Sequence, residues 1–359
     1  MSDLVTALRL AGWLLPTPRA KKRPRVERSV VSSAEGTAGW IYRPRGREPQ
    51  GSLLVLPGLH PAGPADPRLD RFCAVLADAG ALVFAAFLPT YGSLAVAPEV
   101  VDEARTAFQR LLELPARPQA RKPGVVSISF GSLPAIALAA SPDYGPRIGR
   151  LVTFGGFADF DATLRFALSG DGDRAHDPLN RPAVYLNLLD LLDEPPRDRP
   201  ALEAAYRSFV YRTWGRPEMK LEGRYLAVAR ELASGVHADD LALFELGTGL
   251  REGGEEFPFR LLAKDAADFS YMDPTLHLAR LIAPATFIHG RDDDVIPFEA
   301  AAGLAQGTRD GAGARALITG LYNHTGSAGL GALADVGREL ASARAIFAAL
   351  SDCVRGPRV

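Results

Sequence analysis

Residues 124–131, Gly-Val-Val-Ser-Ile-Ser-Phe-Gly, join a short apolar run to a serine with small neighbours. The run Gly124–Ile128 has the length and apolar character of a buried strand, and a helical pattern follows it. Ser129 lies at the junction, with Ser127 and Gly131 two residues away on either side. A sharp strand-to-helix turn needs small neighbours because its backbone is crowded and its central residue is strained. The stretch therefore predicts a serine that projects from the end of a sheet strand.

The rest of the chain extends an alternation of strands and helices in both directions. Segments of strand character cover Val26–Ser32, Thr37–Tyr42, Gly51–Leu56, Ala81–Phe87, Gly124–Ile128, Ile148–Phe154, Ala285–His289 and Ala314–Ile318. Patterns of helical spacing cover Asp66–Ala79, Glu99–Leu114, Leu133–Ala140, Thr275–Leu281, Phe298–Gln306 and Leu330–Leu350. Continuous apolar strands separated by helices are typical of a parallel sheet covered on both faces. We therefore expect an α/β fold with a doubly wound, mostly parallel sheet.

One long segment, mostly helical in character, interrupts this alternation. We interpret the segment, residues 157–269, as an inserted helical cap, and residues 26–156 and 270–359 as the core. We interpret the aromatic residues of the insertion as ordinary core, with the wall of an acyl pocket as the alternative. Residues 1–25 precede the core as a short helix and a basic linker.

The composition is that of a globular chain without strong net charge. Of the 359 residues, 47% are apolar and 23% are charged, and the formal net charge is −1. This balance removes any global electrostatic reason for a nucleic acid as the main partner. The local exception is the stretch Arg19–Arg28, which is rich in Lys and Arg. We interpret it as a solvated linker, with contact to a membrane surface or a nucleic acid as the alternative.

The first residues of the chain have an apolar helical face, formed by Leu4, Leu8, Ala11 and Leu15. Basic residues follow this run instead of preceding it, which is the wrong order for an export signal. The apolar runs of the chain are also too short to span a bilayer. We expect this helix to dock on the protein body or on a second subunit, in preference to a membrane interface. Docking on a second subunit would give a homodimer.

Neither the cysteines nor the motifs of the sequence indicate a disulfide framework, a dinucleotide cofactor or a metal site. Cys73 and Cys353 lie far apart in helical-looking segments, so we expect no disulfide framework and a reducing, cytoplasmic location. No Gly-x-Gly-x-x-Gly fingerprint follows the first core strand. The histidines and acids lack the ligand spacings of metal sites. We therefore expect neither a cofactor nor a metal.

Two further segments place catalytic residue types after later strands. His289–Pro297 contains three adjacent aspartates with Asp293 in the middle, and His324 lies in the loop after the last predicted strand. In doubly wound sheets, ligands bind at the carboxyl ends of the strands. Histidine has the unperturbed pKa that suits a general base near neutrality. The order Ser129, Asp293, His324 is the one expected of a nucleophile-elbow hydrolase.

These motifs resemble the α/β-hydrolase superfamily over the whole chain from about residue 26, except for the insertion. Ser127–Gly131 matches the superfamily's small-x-nucleophile-x-small elbow. His289–Pro297 is similar to its His-Gly-x-x-Asp-x-x-Val-Pro segment, with Ile296 in place of valine. The resemblance implies that Asp293 is the acid of a Ser-His-Asp triad.

The resemblance also implies an oxyanion hole. The superfamily usually has His-Gly-x after its first long core strand, and the final amide of that turn donates to the oxyanion. This chain reads Pro57-Gly58-Leu59 at that point. Replacement of His by Pro leaves the main-chain donor in place, so Leu59 is one implied donor. The amide of Phe130, at the N-terminus of the helix after the elbow, is the other.

Two departures from the superfamily pattern leave alternatives open. Many members place a glycine before the histidine, and this chain has Asn323 there. Some members carry the acid after the preceding strand, where Asp159 or Asp161 is the alternative to Asp293.

The sequence thus predicts a serine hydrolase that cleaves a carboxylic ester or a related acyl compound. In this reaction Ser129 attacks the carbonyl, His324 takes its proton, and Asp293 orients His324. Short- or medium-chain esters are the first substrate class by analogy with the fold, and the expected partner is a small acyl molecule. An acyltransferase with the same triad and a non-catalytic binding protein on the same fold are the alternatives.

Overall fold

The computed structural model describes residue 10 and residues 24–33, 36–171, 174, 176–263, 268–309, 313–321 and 336–358. Apart from Leu10, the predicted N-terminal amphipathic helix lies outside this part of the chain, and so do residues 19–23 of the basic stretch. His324 and its neighbour Asn323 lie outside it as well.

Within the residues that the structure describes, eight strands form one sheet, and each corresponds to a predicted strand. They are β1 Val26–Ser33, β2 Gly36–Pro44, β3 Gly51–Leu56, β4 Ala81–Ala86, β5 Gly124–Ile128, β6 Arg150–Phe154, β7 Ala285–Gly290 and β8 Arg315–Thr319. Their order across the sheet is β1-β2-β4-β3-β5-β6-β7-β8. The pairs β1–β2 and β2–β4 are antiparallel, and the other pairs are parallel. The prediction of a mostly parallel, doubly wound sheet is confirmed.

Helices cover the sheet and fill the long segment between β6 and β7. Those before β6 are α1 Pro67–Ala79, α2 Pro89–Gly92, α3 Glu99–Glu113 and α4 Ser132–Ala139. Those between β6 and β7 are α5 Phe160–Ser169, α6 Arg181–Leu188, α7 Arg199–Thr213, α8 Tyr225–Ala233, α9 Leu241–Thr248, α10 Glu256–Leu262 and α11 Thr275–Leu278. The last two are α12 Glu299–Gly307 and α13 Val336–Arg355.

Local signals explain where α1 begins and ends. The Asp66 side chain accepts a hydrogen bond from the Arg68 amide, and Pro67 occupies the first helical position. Both features are typical of helix N-termini, because the first amides have no partner within the helix. The helix ends at Gly80, whose φ of 125° is a conformation that side-chain-bearing residues rarely adopt. The chain then enters β4.

The central strands of the sheet are buried on both faces, which explains why they are apolar without alternation. All six residues of β3 are buried. Leu54 and Leu56 pack with α3 and α4 on one face, whereas Leu53 and Val55 pack with α1 and α13 on the other. Successive side chains of a strand point to opposite faces, so a strand between two helical layers needs an apolar residue at every position.

The helices between β6 and β7 have a core of their own. Its buried members include Tyr185 of α6, Leu202 and Tyr206 of α7 and Phe244 of α9. This arrangement fits a segment inserted into the alternation of the core. Its boundaries at residues 157 and 269, and its role as a cap, stay predictions.

Both cysteines are buried and unpaired within helices, Cys73 in α1 and Cys353 in α13. Burial raises the pKa of the Cys353 thiol to about 12, and it raises the pKa of Cys73 as well. Both thiols are therefore protonated near neutrality and poorly nucleophilic. Within the described ranges, no helix combines the length and the apolar character that crossing a membrane requires.

Candidate active site

Ser129 follows β5 and has a strained backbone. Its φ is 51°, in the left-handed region that residues with a side chain seldom occupy. It begins a single helical turn, Ser129–Gly131, which leads directly into α4. Such strain persists only where the surrounding structure imposes it, and it is concentrated at functional sites. Strand β5 and helix α4 are therefore joined at Ser129 by a strained turn.

Close packing against the segment after β3 explains the small residues around Ser129. A Cβ atom added to Gly131 would lie 2.5 Å from the carbonyl oxygen of Pro57. One added to Gly58 would lie 3.0 Å from the Cβ of Ser129 and 3.0 Å from the carbonyl oxygen of Ile128. A side chain at residue 131 therefore has no room, and one at residue 58 would require its neighbours to shift. The turn that carries Leu59 thus packs directly on the elbow.

We expect Gly131→Ala to lower the free energy of unfolding by about 1–3 kcal/mol, because the new methyl group meets rigid backbone. Gly92→Ala is the matched control, since a Cβ atom at Gly92 has open space around it. Urea unfolding of both variants measures the difference. Equal stabilities would contradict the packing described for the elbow.

The two implied oxyanion donors lie on either side of the elbow. Leu59 belongs to the turn packed on Ser129, and Phe130 follows Ser129 in the first helical turn, where backbone amides lack a partner within the helix. The hydroxyl of the buried Tyr91 donates to the carbonyl oxygen of Phe130 over 3.0 Å. This hydrogen bond fixes the peptide group between Phe130 and Gly131. Nothing local in the sequence marks Tyr91 for this role, because its partner is 39 residues away.

Asp293 is buried in the loop after β7, and its carboxylate is held by the chain around it. Oδ1 accepts hydrogen bonds from the amides of Val295 and Ile296, both at 2.9 Å. Oδ2 lies 3.2 Å from Nε2 of His289, whose side chain is also buried. Nε2 is 3.0 Å from the carbonyl oxygen of Ile296. Because a carbonyl only accepts, Nε2 carries a proton, and His289 holds the loop that presents Asp293.

The neighbours of Asp293 have different environments. Asp292 is exposed. Asp294 forms an ion pair with Lys220 in the insertion, and Lys220 also pairs with Asp177 at 2.7 Å. The amide of Asp177 donates to the carbonyl oxygen of Asp294 over 2.8 Å. Asp294 therefore joins the insertion to the loop of Asp293.

The two alternative acids, Asp159 and Asp161, both bind groups of α5. Asp159 is exposed and caps α5, its side chain accepting a hydrogen bond from the Ala162 amide over 3.0 Å. Asp161 is exposed and pairs with Arg165 one turn along the same helix. Of the three candidates, Asp293 is the buried one. It also follows β7, which lies two strands from β5 in the sheet.

His324 lies outside the described residues. The residues before and after its segment are described, and they contact each other through Glu339. Before it, Thr319 and Gly320 donate to the carboxylate of Glu339 through the hydroxyl and the amide, both at 2.8 Å. After it, Glu339 lies in the first turn of α13, and Arg291 donates to the same carboxylate over 2.9 Å. Glu339 thus ties the end of β8 to α13 and to the loop after β7. No local pattern marked it in the sequence.

Glu339→Gln should lower the free energy of unfolding at neutral pH by about 1–3 kcal/mol, because one amide oxygen cannot replace a carboxylate that accepts from three donors. Burial by itself raises the pKa of Glu339, but the bonds from Thr319, Gly320 and Arg291 hold it below the ordinary value. A carboxylate with a lowered folded pKa stabilises above its unfolded pKa of about 4.3, and this contribution is lost as the pH falls through the folded pKa.

Urea unfolding of the wild type and Glu339→Gln at neutral pH and in acid tests this expectation, with the exposed Glu48→Gln as control. The difference between wild type and Glu339→Gln should shrink in acid. A difference that is the same at both pH values would rule out the ionised carboxylate as its cause.

A cavity of about 830 Å³ opens next to Ser129. Core and insertion both contribute to its wall, which is largely apolar and includes Leu59, Phe130, Phe160, Leu188, Phe269 and Phe347. Phe160 and Trp214 of the insertion line it. Both side chains also pack against buried hydrophobic clusters, so they belong to the hydrophobic core and to the cavity wall. Within the described ranges, no group of three or more His, Cys, Asp or Glu residues is placed to hold a metal ion.

Comparison with known proteins finds related folds at low similarity. No protein-family model matches the chain, and no curated protein matches it. An esterase of Pyrococcus furiosus superposes with a TM-score of 0.48 and 13% identity, covering 92% of this chain and 92% of that one. The esterase domain of a Rhodothermus marinus protein gives a TM-score of 0.43 and 13% identity, covering 89% of this chain and 98% of that one. A 2,6-dihydroxy-pseudo-oxynicotine hydrolase gives 0.46 and 15%, covering 98% of this chain and 80% of that one.

The fold of the chain follows from its own strand order and from the elements that flank Ser129 and Asp293. Eight strands run in the order β1-β2-β4-β3-β5-β6-β7-β8, and the sheet is parallel from β4 onward. The strained Ser129 stands between β5 and α4, and the buried Asp293 follows β7. This chain has the α/β-hydrolase fold.

Proposed function

We propose that the protein is a serine hydrolase that cleaves carboxylic esters through an acyl-enzyme. Ser129 is the nucleophile, His324 the general base and Asp293 the acid that orients it. The observation that carries the proposal is the backbone of Ser129, which adopts a φ of 51° at the end of β5 and lines a cavity. A purely structural serine has no need of a strained turn in the wall of a cavity.

The reaction proceeds in two halves. His324 takes the proton of the Ser129 hydroxyl as its oxygen attacks the carbonyl carbon, and the amides of Leu59 and Phe130 bind the resulting oxyanion. Collapse of the tetrahedral intermediate expels the alcohol, which receives the proton from His324. Water then attacks the acyl-enzyme with the same base, and the carboxylic acid leaves as Ser129 regains its proton.

The burial of Asp293 supports its role in this reaction. An acid that orients the base must keep one geometry through the catalytic cycle, and both carboxylate oxygens of Asp293 have close neighbours. A carboxylate that accepts hydrogen bonds from two backbone amides is stabilised in its ionised form. It can therefore stabilise the imidazolium that forms on His324.

The apolar wall of the cavity supports an acyl substrate with a hydrocarbon part. Phe160 and Leu188 of the insertion face the cavity together with Phe130 and Phe347 of the core. In this proposal the insertion acts as a cap that excludes water from the reacting carbonyl. An ester with a medium-length chain would bury its apolar atoms there.

The discriminating experiment is labelling of the full chain with a fluorophosphonate probe, followed by turnover of a series of esters of graded chain length. The wild type should be labelled at Ser129, and Ser129→Ala should not be labelled. Labelling without ester turnover, but with acyl transfer to an added alcohol, would indicate an acyltransferase. Folded wild-type protein that reacts with neither probe nor ester would favour a non-catalytic binding protein.

A further inference from the structure

Lys220 of the insertion contacts two carboxylates that come from different parts of the chain. Its Nζ atom lies 2.7 Å from Oδ2 of Asp177 and also contacts Oδ2 of Asp294. Asp177 belongs to the insertion, whereas Asp294 belongs to the loop after β7 that carries Asp293. Lys220 and Asp177 also line the cavity next to Ser129. These ion pairs therefore join the insertion to the core at the wall of the cavity.

The Lys220 side chain is charged in this position. Burial by itself lowers the pKa of Lys220, but the two carboxylates raise it above its ordinary value, so the group is an ammonium near neutrality. Oδ1 of Asp294 is buried and has no hydrogen-bond partner among the described residues, so the bond from Lys220 is the one described for this carboxylate. Without the ammonium, the carboxylates of Asp177 and Asp294 would face each other and repel.

The turn formed by residues 294–296 holds the carboxylate of Asp293 and is itself held at both ends. Two amides of this turn donate to Oδ1 of Asp293. From the core, Nε2 of His289 donates to the last carbonyl oxygen of the turn over 3.0 Å. From the insertion, Lys220 binds the first side chain of the turn, and the Asp177 amide donates to its first carbonyl oxygen over 2.8 Å. The insertion thus fixes one end of the turn that orients the proposed catalytic acid.

We propose that Lys220 is a positioning residue that sets the geometry of Asp293 from the insertion, through its bond to Asp294. The acid is then correctly placed only while the insertion is seated on the core. Loss of the ammonium lets the two carboxylates repel, which shifts the turn and with it the carboxylate of Asp293. A displacement of about 1 Å in a catalytic group can cost a factor on the order of 10² in rate. The proposal rests on the proposed function for the roles of Ser129 and Asp293.

Hydrogen exchange of the full chain, followed by mass spectrometry, tests the structural half of the proposal without any chemistry. In Lys220→Met, the amides of Val295 and Ile296 should exchange about tenfold faster than in the wild type, the value of one lost hydrogen bond to a charged group. The peptide that spans residues 291–297 contains both amides. Exchange in strand β5 should stay at the wild-type rate, because the change is confined to the seam between the insertion and the loop.

Inactivation by diisopropyl fluorophosphate tests the catalytic half, because this small probe reacts with a serine only where the base and its acid activate it. In Lys220→Met, the maximal rate of inactivation should fall by a factor on the order of 10 to 10². The concentration of probe that gives half of this rate should not change, because the probe is uncharged and the ammonium does not attract it. A fall in the maximal rate at constant half-saturation is the result expected of a positioning residue.

Two rescue variants separate positioning from a general loss of stability. Lys220→Arg keeps a cation between the two carboxylates and should retain most of the wild-type inactivation rate. Adding Asp177→Asn to Lys220→Met removes the repulsion between the carboxylates. The new side-chain oxygen can still accept from the Leu179 amide, as Oδ1 of Asp177 now does, while its NH₂ group donates to Asp294. The double variant should therefore recover part of the rate that Lys220→Met loses.

Arg212→Met is the matched control, because Arg212 pairs with Glu231 of α8 within the insertion and has no described bond to the loop of Asp293. It should leave exchange of the turn and the inactivation rate unchanged. If Lys220→Met does not fold, Asp294→Asn decides by the same two measurements. It leaves Lys220 paired with Asp177 alone, so it should show the same changes at a smaller size.

The proposal fails if exchange of the turn is the same with and without Lys220, or if exchange rises while the inactivation rate stays at the wild-type value. The second outcome would make the ion pairs purely structural. An equal loss of rate in Arg212→Met would also overturn it. A folded wild type that does not react with the probe would refute the proposed hydrolase function, and the role of Lys220 in it, whereas a reactive wild type matched by Lys220→Met refutes the role of Lys220 alone.

Discussion

Ser129→Ala should lower kcat/KM for ester hydrolysis by a factor on the order of 10⁴ or more, because it removes the nucleophile on which general-base catalysis and oxyanion stabilisation both depend. The measurement is initial-rate kinetics on the best ester of the graded series. Ser132→Ala is the matched control, since Ser132 is also buried and lies one turn further along the chain. Turnover by Ser129→Ala at the wild-type rate would end the assignment of Ser129.

The same position offers a second measurement that does not depend on turnover. A φ of 51° is unfavourable for any residue with a Cβ atom but not for glycine. We therefore expect Ser129→Gly to unfold with a free energy about 1 kcal/mol higher than Ser129→Ala, the usual scale of the left-handed penalty. Equal stability of the two variants would mean that the turn is not strained in solution.

Asp293→Asn should lower kcat for ester hydrolysis by about 10²–10⁴, because an amide neither stabilises the charged base nor keeps it in the correct tautomer. The variant should also be less stable by about 1–3 kcal/mol. If the Asn oxygen keeps the bonds from Val295 and Ile296, its NH₂ group faces the Nε2–H of His289. Two donors would then meet where a carboxylate oxygen now accepts.

Asp292→Asn is the natural control for this variant, because Asp292 is the adjacent residue and is exposed. Asp159→Asn tests the alternative acid. Both controls should keep wild-type kcat. A large loss in Asp159→Asn together with normal activity in Asp293→Asn would transfer the role of the acid to Asp159.

The sequence predicted the sheet well because each strand carries its own signal. The apolar runs of β3, β5 and β7 lack alternation, which is the pattern of strands buried on both faces, and the helices between them have apolar faces. The small residues around Ser129 also allowed a local prediction, because a sharp strand-to-helix turn requires small neighbours. Gly131 is adjacent to Pro57, where a side chain has no space.

Positioning residues were harder to predict because their partners are distant in sequence. Tyr91 contacts Phe130, and Glu339 contacts Arg291. No local period or motif distinguishes such residues from an ordinary core tyrosine or a surface glutamate. Their roles exist only when the sheet brings the two partners together.

The three adjacent aspartates after β7 show most clearly which features are local to the sequence and which depend on the tertiary structure. The sequence by itself determined that acids stand at the carboxyl end of this strand, and the resemblance to the α/β-hydrolases favoured Asp293. Only the tertiary structure separated them: Asp292 is exposed, Asp293 is buried against His289, and Asp294 pairs with Lys220 of the insertion. Neighbouring residues of a loop point in different directions, so their environments depend on what the rest of the fold places around them.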